Sequence, residues 1–331
     1  MSARPEKILA IQFKYFGDAV LMTPSLRAIH EYFPNGELHV LVPEEVAPIL
    51  QHLPWIQRVW PMPRKRGNAS LRQTWPVIRA LRRERFSRSV DFAGNDRGAI
   101  LSFLIGARRR LGWSNSGGFL GRRFCYTDRV ATETKEPQES ARLAHILSGW
   151  QIPPPRSLEL EIRADPALNA FAAQLLPQRT ILCHMASSQP NRQWPIQHWA
   201  DFYKLATATG LNLAFTTATG QREQSLTNEL KKIVPTATVL PAVPELPRFL
   251  ALLKRAEVFI SGDTGPLHFA AGLGVPTISL FGPSSPARWA PVGKHHRMLI
   301  GSSCSCGAGA SVCQTSIFAL RPLRQNRFSR S

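Results

Sequence analysis

The chain has 331 residues, about twice the usual size of one domain, so two domains are the starting expectation. Apolar residues make up 44% and charged residues 19% of it, a balance that excludes an intrinsically disordered chain or a coiled coil. The 41 Lys+Arg outnumber the 22 Asp+Glu for a net charge of +19, which predicts partners bearing negative charge: nucleic acid, nucleotide, phosphorylated glycan or an anionic membrane face.

In chain order, short β-rich runs alternate with amphipathic ones. Lys7–Phe13 reads as a strand, followed by a helix through Pro24 to Tyr32. Next come a strand at Glu37–Val42, a helix near Glu44–His52, a short strand at Arg58–Trp60, a basic helix at Leu71–Arg85 and a strand at Ser87–Phe92. A helix at Gly98–Ile105, a strand at Arg110–Trp113 and a helix at Ser140–Trp150 complete the first half. The run Gln151–Pro155 is the clearest composition break, and Asp165-Pro166 marks a new helix start. The second half repeats the alternation: strands at Thr180–His184, Asn212–Thr217, Val258–Ser261 and Thr277–Phe281, helices at Ile196–Ala208, Gln221–Ile233, Leu246–Lys254 and Pro266–Ala271. Such alternation predicts parallel sheets covered on both faces, in two Rossmann-like domains facing a cleft: residues 1–155 and 156–313, with a basic tail at 314–331. Ligands of open α/β sheets sit at the carboxyl ends of the strands, which directs attention to the loops after Phe13, His184, Thr217, Ser261 and Phe281.

Five cysteines imply no disulfide framework. The apolar stretch Ile8–Ile11 is too short for a signal peptide. Thr264–Ala287 has no charged residue, but its prolines and glycines break it into a helix, a turn and a strand rather than a membrane span. A cytoplasmic protein is expected.

The basic excess is local. Residues 58–130 hold seventeen Lys+Arg against four Asp+Glu, a net +13. Solvated helix faces are one reading of this density; a docking surface for an anionic acceptor or membrane is the other. The region has neither an aromatic-interleaved RNA-binding pattern nor helix-turn-helix grammar, so no nucleic-acid partner is expected.

Neither G-x-G-x-x-G nor G-x-x-x-x-G-K-[ST] occurs, which removes the dinucleotide fingerprint and the P-loop. Asp-x-Asp is also missing, so a diphosphate would be neutralised by side-chain cations and helix N-termini rather than by a metal held between paired carboxylates. Three segments carry chemistry. After the first strand, Gly17-Asp18 places a carboxylate at a helix start, fit either to cap that helix or to accept a proton from a hydroxyl. The loop Ala186-Ser187-Ser188-Gln189-Pro190-Asn191-Arg192-Gln193-Trp194-Pro195 offers hydroxyls and a guanidinium for phosphate oxygens, or is a polar loop anchored by Trp194. Finally Gly262-Asp263-Thr264-Gly265-Pro266, between a strand and a helix that starts on proline, makes an anion site from free backbone N–H groups and the helix dipole. His268 follows in that helix, either in this site or as a core histidine.

Together these blocks resemble glycosyltransferase family nine, the ADP-heptose:lipopolysaccharide heptosyltransferases. The matching residues are Gly17-Asp18 with Thr23-Pro24-Ser25-Leu26, then Asp91, Asp96-Arg97, Gly106-Ala107-Arg108 and Gly112. In the second half they are Ser187/Ser188, Arg192-x-Trp194-Pro195, Gly262-Asp263-Thr264-Gly265-Pro266-x-His268-x-Ala270-Ala271 and Phe281-Gly282-Pro283. The resemblance implies an α/β fold of GT-B type, with the acceptor on the first domain and the nucleotide sugar on the second. It implies an inverting transfer that needs no metal or cofactor, with Asp18 as general base on the acceptor hydroxyl. Ser187, Ser188, Arg192, Thr264, Gly265 and His268 would surround the donor diphosphate, Asp263 would meet sugar hydroxyls, and Glu223 would add an acidic donor contact. In that family lysine often stands at the position of Arg192.

The implied partners are ADP-heptose or a related nucleotide sugar, a phosphorylated lipopolysaccharide-type acceptor, and the anionic inner face of the cytoplasmic membrane. Arg64, Lys65, Arg66 and Arg97 are the acceptor-side candidates. Cys304, Cys306 and Cys313 with His295 and His296 give a zinc-type donor set of irregular spacing, and no metal site is assigned to them. The rival from another class is a non-catalytic basic module, binding nucleic acid or anionic membrane on a degenerate transferase scaffold.

Overall fold

The computed structural model describes residues 5–63, 71–114, 118–187 and 189–300. The chain divides into two compact units, the first ending at Leu158 and the second starting at Glu159.

In the first unit the strands are β1 (Lys7–Ile11), β2 (Glu37–Pro43), β3 (Arg58–Met62), β4 (Arg88–Asp91), β5 (Arg109–Trp113) and β6 (Asp128–Val130). They form one sheet in the order β3-β2-β1-β4-β5-β6, every neighbouring pair parallel. β1 and β2 are almost continuously apolar and buried, as strands covered on both faces must be. The helices are α1 (Phe16–Leu21), α2 (Thr23–Tyr32), α3 (Leu71–Glu84), α4 (Asp96–Ile105) and α5 (Glu139–Ala144). Ile78 and Leu81 of α3 and Leu101 and Ile105 of α4 pack with Leu9, Ile11 and Leu41 of the sheet into one core.

Three local features depart from expectation; one is the helix expected over Ser140–Trp150, which is α-helical only to Ala144 and a 3-10 turn over His145–Trp150. The single helix predicted after β1 is broken at Met22. Pro24 has no N–H for the carbonyl of Val20, and the Thr23 hydroxyl donates to that oxygen instead, at 2.7 Å. The stretch predicted as a helix near Glu44–His52 is a 3-10 turn over Glu44–Ile49, with Pro48 inside it.

In the second unit the strands are β7 (Ile181–His184), β8 (Leu213–Thr216), β9 (Val258–Gly262), β10 (Thr277–Phe281) and β11 (His296–Ile300). The sheet order is β11-β10-β9-β7-β8, again all parallel. Its helices are α6 (Asn169–Leu175), α7 (Ile196–Ala208), α8 (Gln221–Ile233), α9 (Leu246–Arg255), α10 (Gly265–Gly272) and α11 (Pro286–Trp289). Trp199 and Tyr203 of α7 bury against Phe215 and Cys183, with the Trp199 and Phe215 rings edge to face at 6.0 Å. Lys254 and Arg255 close α9 by donating to the carbonyls of Leu273 and Leu176, which satisfies neighbouring chain ends while complementing the dipole.

Each sheet reverses its strand order once: between β1 and β4 in the first unit, between β7 and β9 in the second. At such a point the loops leaving the two strands diverge to opposite faces and open a crevice at the carboxyl edge.

Candidate functional site: two topological switch points

At the first switch point the loop after β1 carries Asp18 into the first turn of α1. Its Oδ2 accepts the backbone N–H of Tyr15 at 3.1 Å, so the capping reading holds. Desolvation of the half-buried carboxyl raises its pKa above the ordinary aspartate value. Lys14 and the Tyr15 amide pull it back down, and Glu139 of α5 pushes it up. A carboxylate with a raised pKa is a better proton acceptor at neutral pH, so capping does not compete with the chemistry of a base.

Across the same switch point β4 ends in Asp91, whose side chain is fully buried. The Tyr126 hydroxyl donates to it at 2.6 Å, and the amides of Ala93 and Gly94 donate at 3.0 and 3.3 Å. Burial outweighs these bonds and pushes the carboxyl up to about 6. Gly98 is required here, because a Cβ would lie 2.3 Å from Asp91 Oδ1. The Asp91 bonds fix the turn into α4 and with it Arg97, whose Nη2 donates to the carbonyl of Pro63 at 3.2 Å while its guanidinium lies 4.7 Å from the Phe13 ring centroid. The structure thus brings Arg97 to the end of β1. Arg64, Lys65 and Arg66 lie outside the described residues.

At the second switch point the loop after β7 is built from the core outward. Trp194 packs edge to face on Trp199 at 5.0 Å and stacks on His198 at 5.6 Å, so it is the packing anchor that the sequence allowed. The anchor fixes the 3-10 turn Pro190–Arg192 just before it. Arg192 Nη1 then reaches Asp263 Oδ2 at 2.9 Å, a salt bridge to a carboxylate that is only 7% exposed. Gly262 makes this possible, since a Cβ there would stand 2.9 Å from the Arg192 carbonyl oxygen. Five donors on the guanidinium leave Arg192 further N–H groups beyond the one given to Asp263.

Thr264 caps α10 in extended backbone with no side-chain hydrogen bond to the helix, and Pro266 follows in the first turn. The amides of Gly265 and Leu267 lie in the first turn, ahead of the first intrahelical bond, and have no intrahelical acceptor. His268 is buried, its Nδ1 has no hydrogen-bond partner among the described residues, and burial lowers its pKa against the pull of Asp263. A neutral imidazole with an unpaired ring nitrogen therefore stands beside the Arg192–Asp263 pair. Ser187 is buried in the same loop and its Oγ accepts the Gln189 amide at 3.4 Å; Ser188 lies outside the described residues. Glu223 sits in the first turn of α8, half-buried, its carboxylate against the Gly220 backbone.

Sequence reasoning did not single out Glu139, Lys14 or Tyr126 for a role. Lys14 stands in the Asp18 loop itself. Glu139 and Tyr126 reach their carboxylates through the tertiary fold, and nothing local announces them. Cys304, Cys306 and Cys313 lie outside the described residues, and among the described residues no cluster of three His, Cys, Asp or Glu side chains could hold a metal ion.

Two all-parallel Rossmann-like units make an α/β fold of GT-B type. The family model for glycosyltransferase family 9 (heptosyltransferase) matches residues 74–314, and the chain belongs to that family. Its similarity to the lipopolysaccharide core heptosyltransferase OpsX of Haemophilus influenzae is 24% identity over 298 residues, covering 87% of this chain and 82% of that protein. The family 9 glycosyl transferase from Veillonella parvula superposes with a TM-score of 0.81 at 20% identity, covering 90% of this chain and 88% of the other. The Escherichia coli heptosyltransferase WaaC with ADP-2-deoxy-2-fluoro heptose gives a TM-score of 0.69 at 19% identity, covering 91% and 97%. The chain is an enzyme, a glycosyltransferase, and not the non-catalytic module kept as the rival.

Proposed function

We propose that this enzyme moves a heptose from ADP-heptose to the core of lipopolysaccharide, with inversion at the anomeric carbon and without a metal ion. What supports the reading is the second switch point, where the Arg192–Asp263 pair, the N-terminal amides of α10 and the His268 Nδ1 without a hydrogen-bond partner offer positive charge and donors to an anion. The relatives named for lipopolysaccharide heptose transfer and the ADP-sugar in the WaaC structure support the choice of donor and acceptor.

In the reaction Asp18 takes the proton of the acceptor hydroxyl, and the oxygen attacks the anomeric carbon. The bond from that carbon to the diphosphate breaks, and ADP leaves with the electron pair. Charge grows on the departing phosphate oxygen, where Arg192, the Gly265 amide and His268 stabilise it more strongly than in the ground state. Ser187 and Ser188 contribute hydroxyls to the same diphosphate. Asp263 orients Arg192 and presents its second oxygen to sugar hydroxyls; Glu223 contacts the donor. Arg97, with Arg64, Lys65 and Arg66, binds phosphate on the acceptor. The first unit holds the acceptor and the second the nucleotide sugar. With no Asp-x-Asp in the sequence, protein cations and amides carry the diphosphate charge.

The test is incubation of the purified enzyme with ADP-heptose and a heptose-free core acceptor in excess EDTA. A product one heptose heavier by mass spectrometry, with the opposite anomeric configuration by NMR, is expected. No transfer, or transfer only on addition of a divalent ion, overturns the reading.

A further inference from the structure

His184 is the last residue of β7, in register with Thr216 of β8 on one side and Ser261 of β9 on the other. It stands at the carboxyl edge of a switch-point strand, beside the strand that leads into Gly262-Asp263-Thr264. Cys183, one residue before it, packs with Trp199 and Phe215. Alternation along a strand therefore puts His184 on the opposite face of the sheet, where its ring stacks on Phe259 with centroids 6.4 Å apart and planes at 27°.

Two hydrogen bonds fix the proton on this ring. His184 Nδ1 lies 2.7 Å from Thr216 Oγ1, and Thr216 Oγ1 lies 3.4 Å from the carbonyl oxygen of Cys183. A carbonyl only accepts, and a hydroxyl has a single proton to give. Both bonds form together only when Thr216 donates to Cys183 and the imidazole donates Nδ1–H to Thr216. Nε2 is then unprotonated, and it has no hydrogen-bond partner among the described residues. Thr216 is buried and His184 only half-buried, so the Nδ1 edge is the sealed one and Nε2 lies on the open side. Desolvation pulls the imidazole down to about 4, so its lone pair stays free at neutral pH. Such a lone pair repels phosphate oxygens and takes a hydrogen bond from a hydroxyl.

We propose that His184 Nε2 accepts a hydrogen bond from a hydroxyl of the bound nucleotide sugar beside its diphosphate, and that Thr216 holds the imidazole in the accepting form. The inference rests on the donor reading above, in which Arg192 and the Gly265 amide take the anion. The groups that flank the diphosphate of a nucleotide sugar are the ribose on one side and the transferred sugar on the other, both bearing hydroxyls, while the base lies one ring further out. An acceptor next to a set of anion donors separates a nucleotide sugar from a bare diphosphate. The first makes one bond more, whereas the second brings only oxygens to a lone pair and gains nothing from it.

The test is calorimetric titration of ADP-heptose, ADP, 2′-deoxy-ADP, 3′-deoxy-ADP and inorganic pyrophosphate into the full chain and its variants. His184→Phe keeps a ring on Phe259 and removes Nε2. It should bind ADP-heptose about tenfold more weakly and pyrophosphate as the wild type does. His184→Gln, whose side-chain carbonyl can accept, should recover part of the loss, and Thr216→Val should show a smaller loss of the same kind. A loss present with ADP but absent with one deoxy nucleotide assigns the bond to that ribose hydroxyl. A loss confined to ADP-heptose assigns it to the transferred sugar. Equal binding of ADP-heptose by the wild type and His184→Phe overturns the inference and leaves the donor reading standing. A loss of one size with ADP and both deoxy nucleotides overturns it too, as does pyrophosphate binding weakened as much as ADP-heptose binding, the result a merely structural role would give. A wild type that binds neither ADP nor ADP-heptose overturns the donor reading and the inference together.

Discussion

The two switch points share one topological rule and differ in charge. In the first unit the strand ends present carboxylates whose pKa values burial raises: Asp18 at the loop after β1 and Asp91 at the end of β4. In the second they present a guanidinium locked to a buried carboxylate, a helix N-terminus, and histidines that burial holds neutral, His184 being pulled down to about 4. The first arrangement is suited to taking up a proton and the second to holding an anion. One fold unit used twice supplies two opposite electrostatic environments because topology fixes where the crevice lies, while a few loop residues fix its sign.

The largest expected effect breaks the first environment. Asp18→Asn keeps an oxygen for the Tyr15 amide, so α1 stays capped, yet removes the base; kcat should fall by on the order of a thousandfold in a transfer assay. Next, Arg192→Ala should weaken ADP binding and lower kcat/KM by about a hundredfold, and Arg192→Lys should recover only part of the loss because the ammonium lacks the fork.

Asp91 gives a stability effect. Its folded pKa of about 6 lies above the ordinary 3.8, so the folded protein binds the proton more tightly than the unfolded chain. The contribution is therefore full below about pH 4 and is lost as pH rises through 6, about 3 kcal/mol in all. Asp91→Asn should flatten that slope in denaturant titrations across pH 4–7; an unchanged slope would assign it to another group. The smallest effect sharpens the Asp18 account. Glu139→Gln removes a like charge and should move the acidic limb of the kcat/KM profile to lower pH, whereas Lys14→Gln should move it upward.

Much of this was legible in the chain itself. Helices α7 and α8 and the central strands of the second unit follow from apolar periodicity and flanking prolines, and Gly262-Asp263-Thr264-Gly265-Pro266 announces a strand-to-helix anion site in five consecutive residues. The edge strands β6 and β11 were not legible, since three or five residues containing arginine at a sheet margin carry little apolar pattern. The α1–α2 break was not legible because proline is tolerated in the first turn of a helix, so Pro24 does not by itself reveal that a shorter helix precedes it. In the candidate site the residue types were readable but their pairings were not. Arg192 and Asp263 meet across 71 residues of sequence, and Tyr126 and Asp91 across 35, distances that only the sheet order closes.

The most direct measurement is calorimetric titration of ADP into the wild type, Asp18→Asn and Arg192→Ala, with turnover assayed on the same samples. Separate proton and anion sites predict that Asp18→Asn binds ADP as the wild type does while failing to turn over, and that Arg192→Ala binds at least about tenfold more weakly. ADP binding lost with Asp18 and kept without Arg192 would contradict the account.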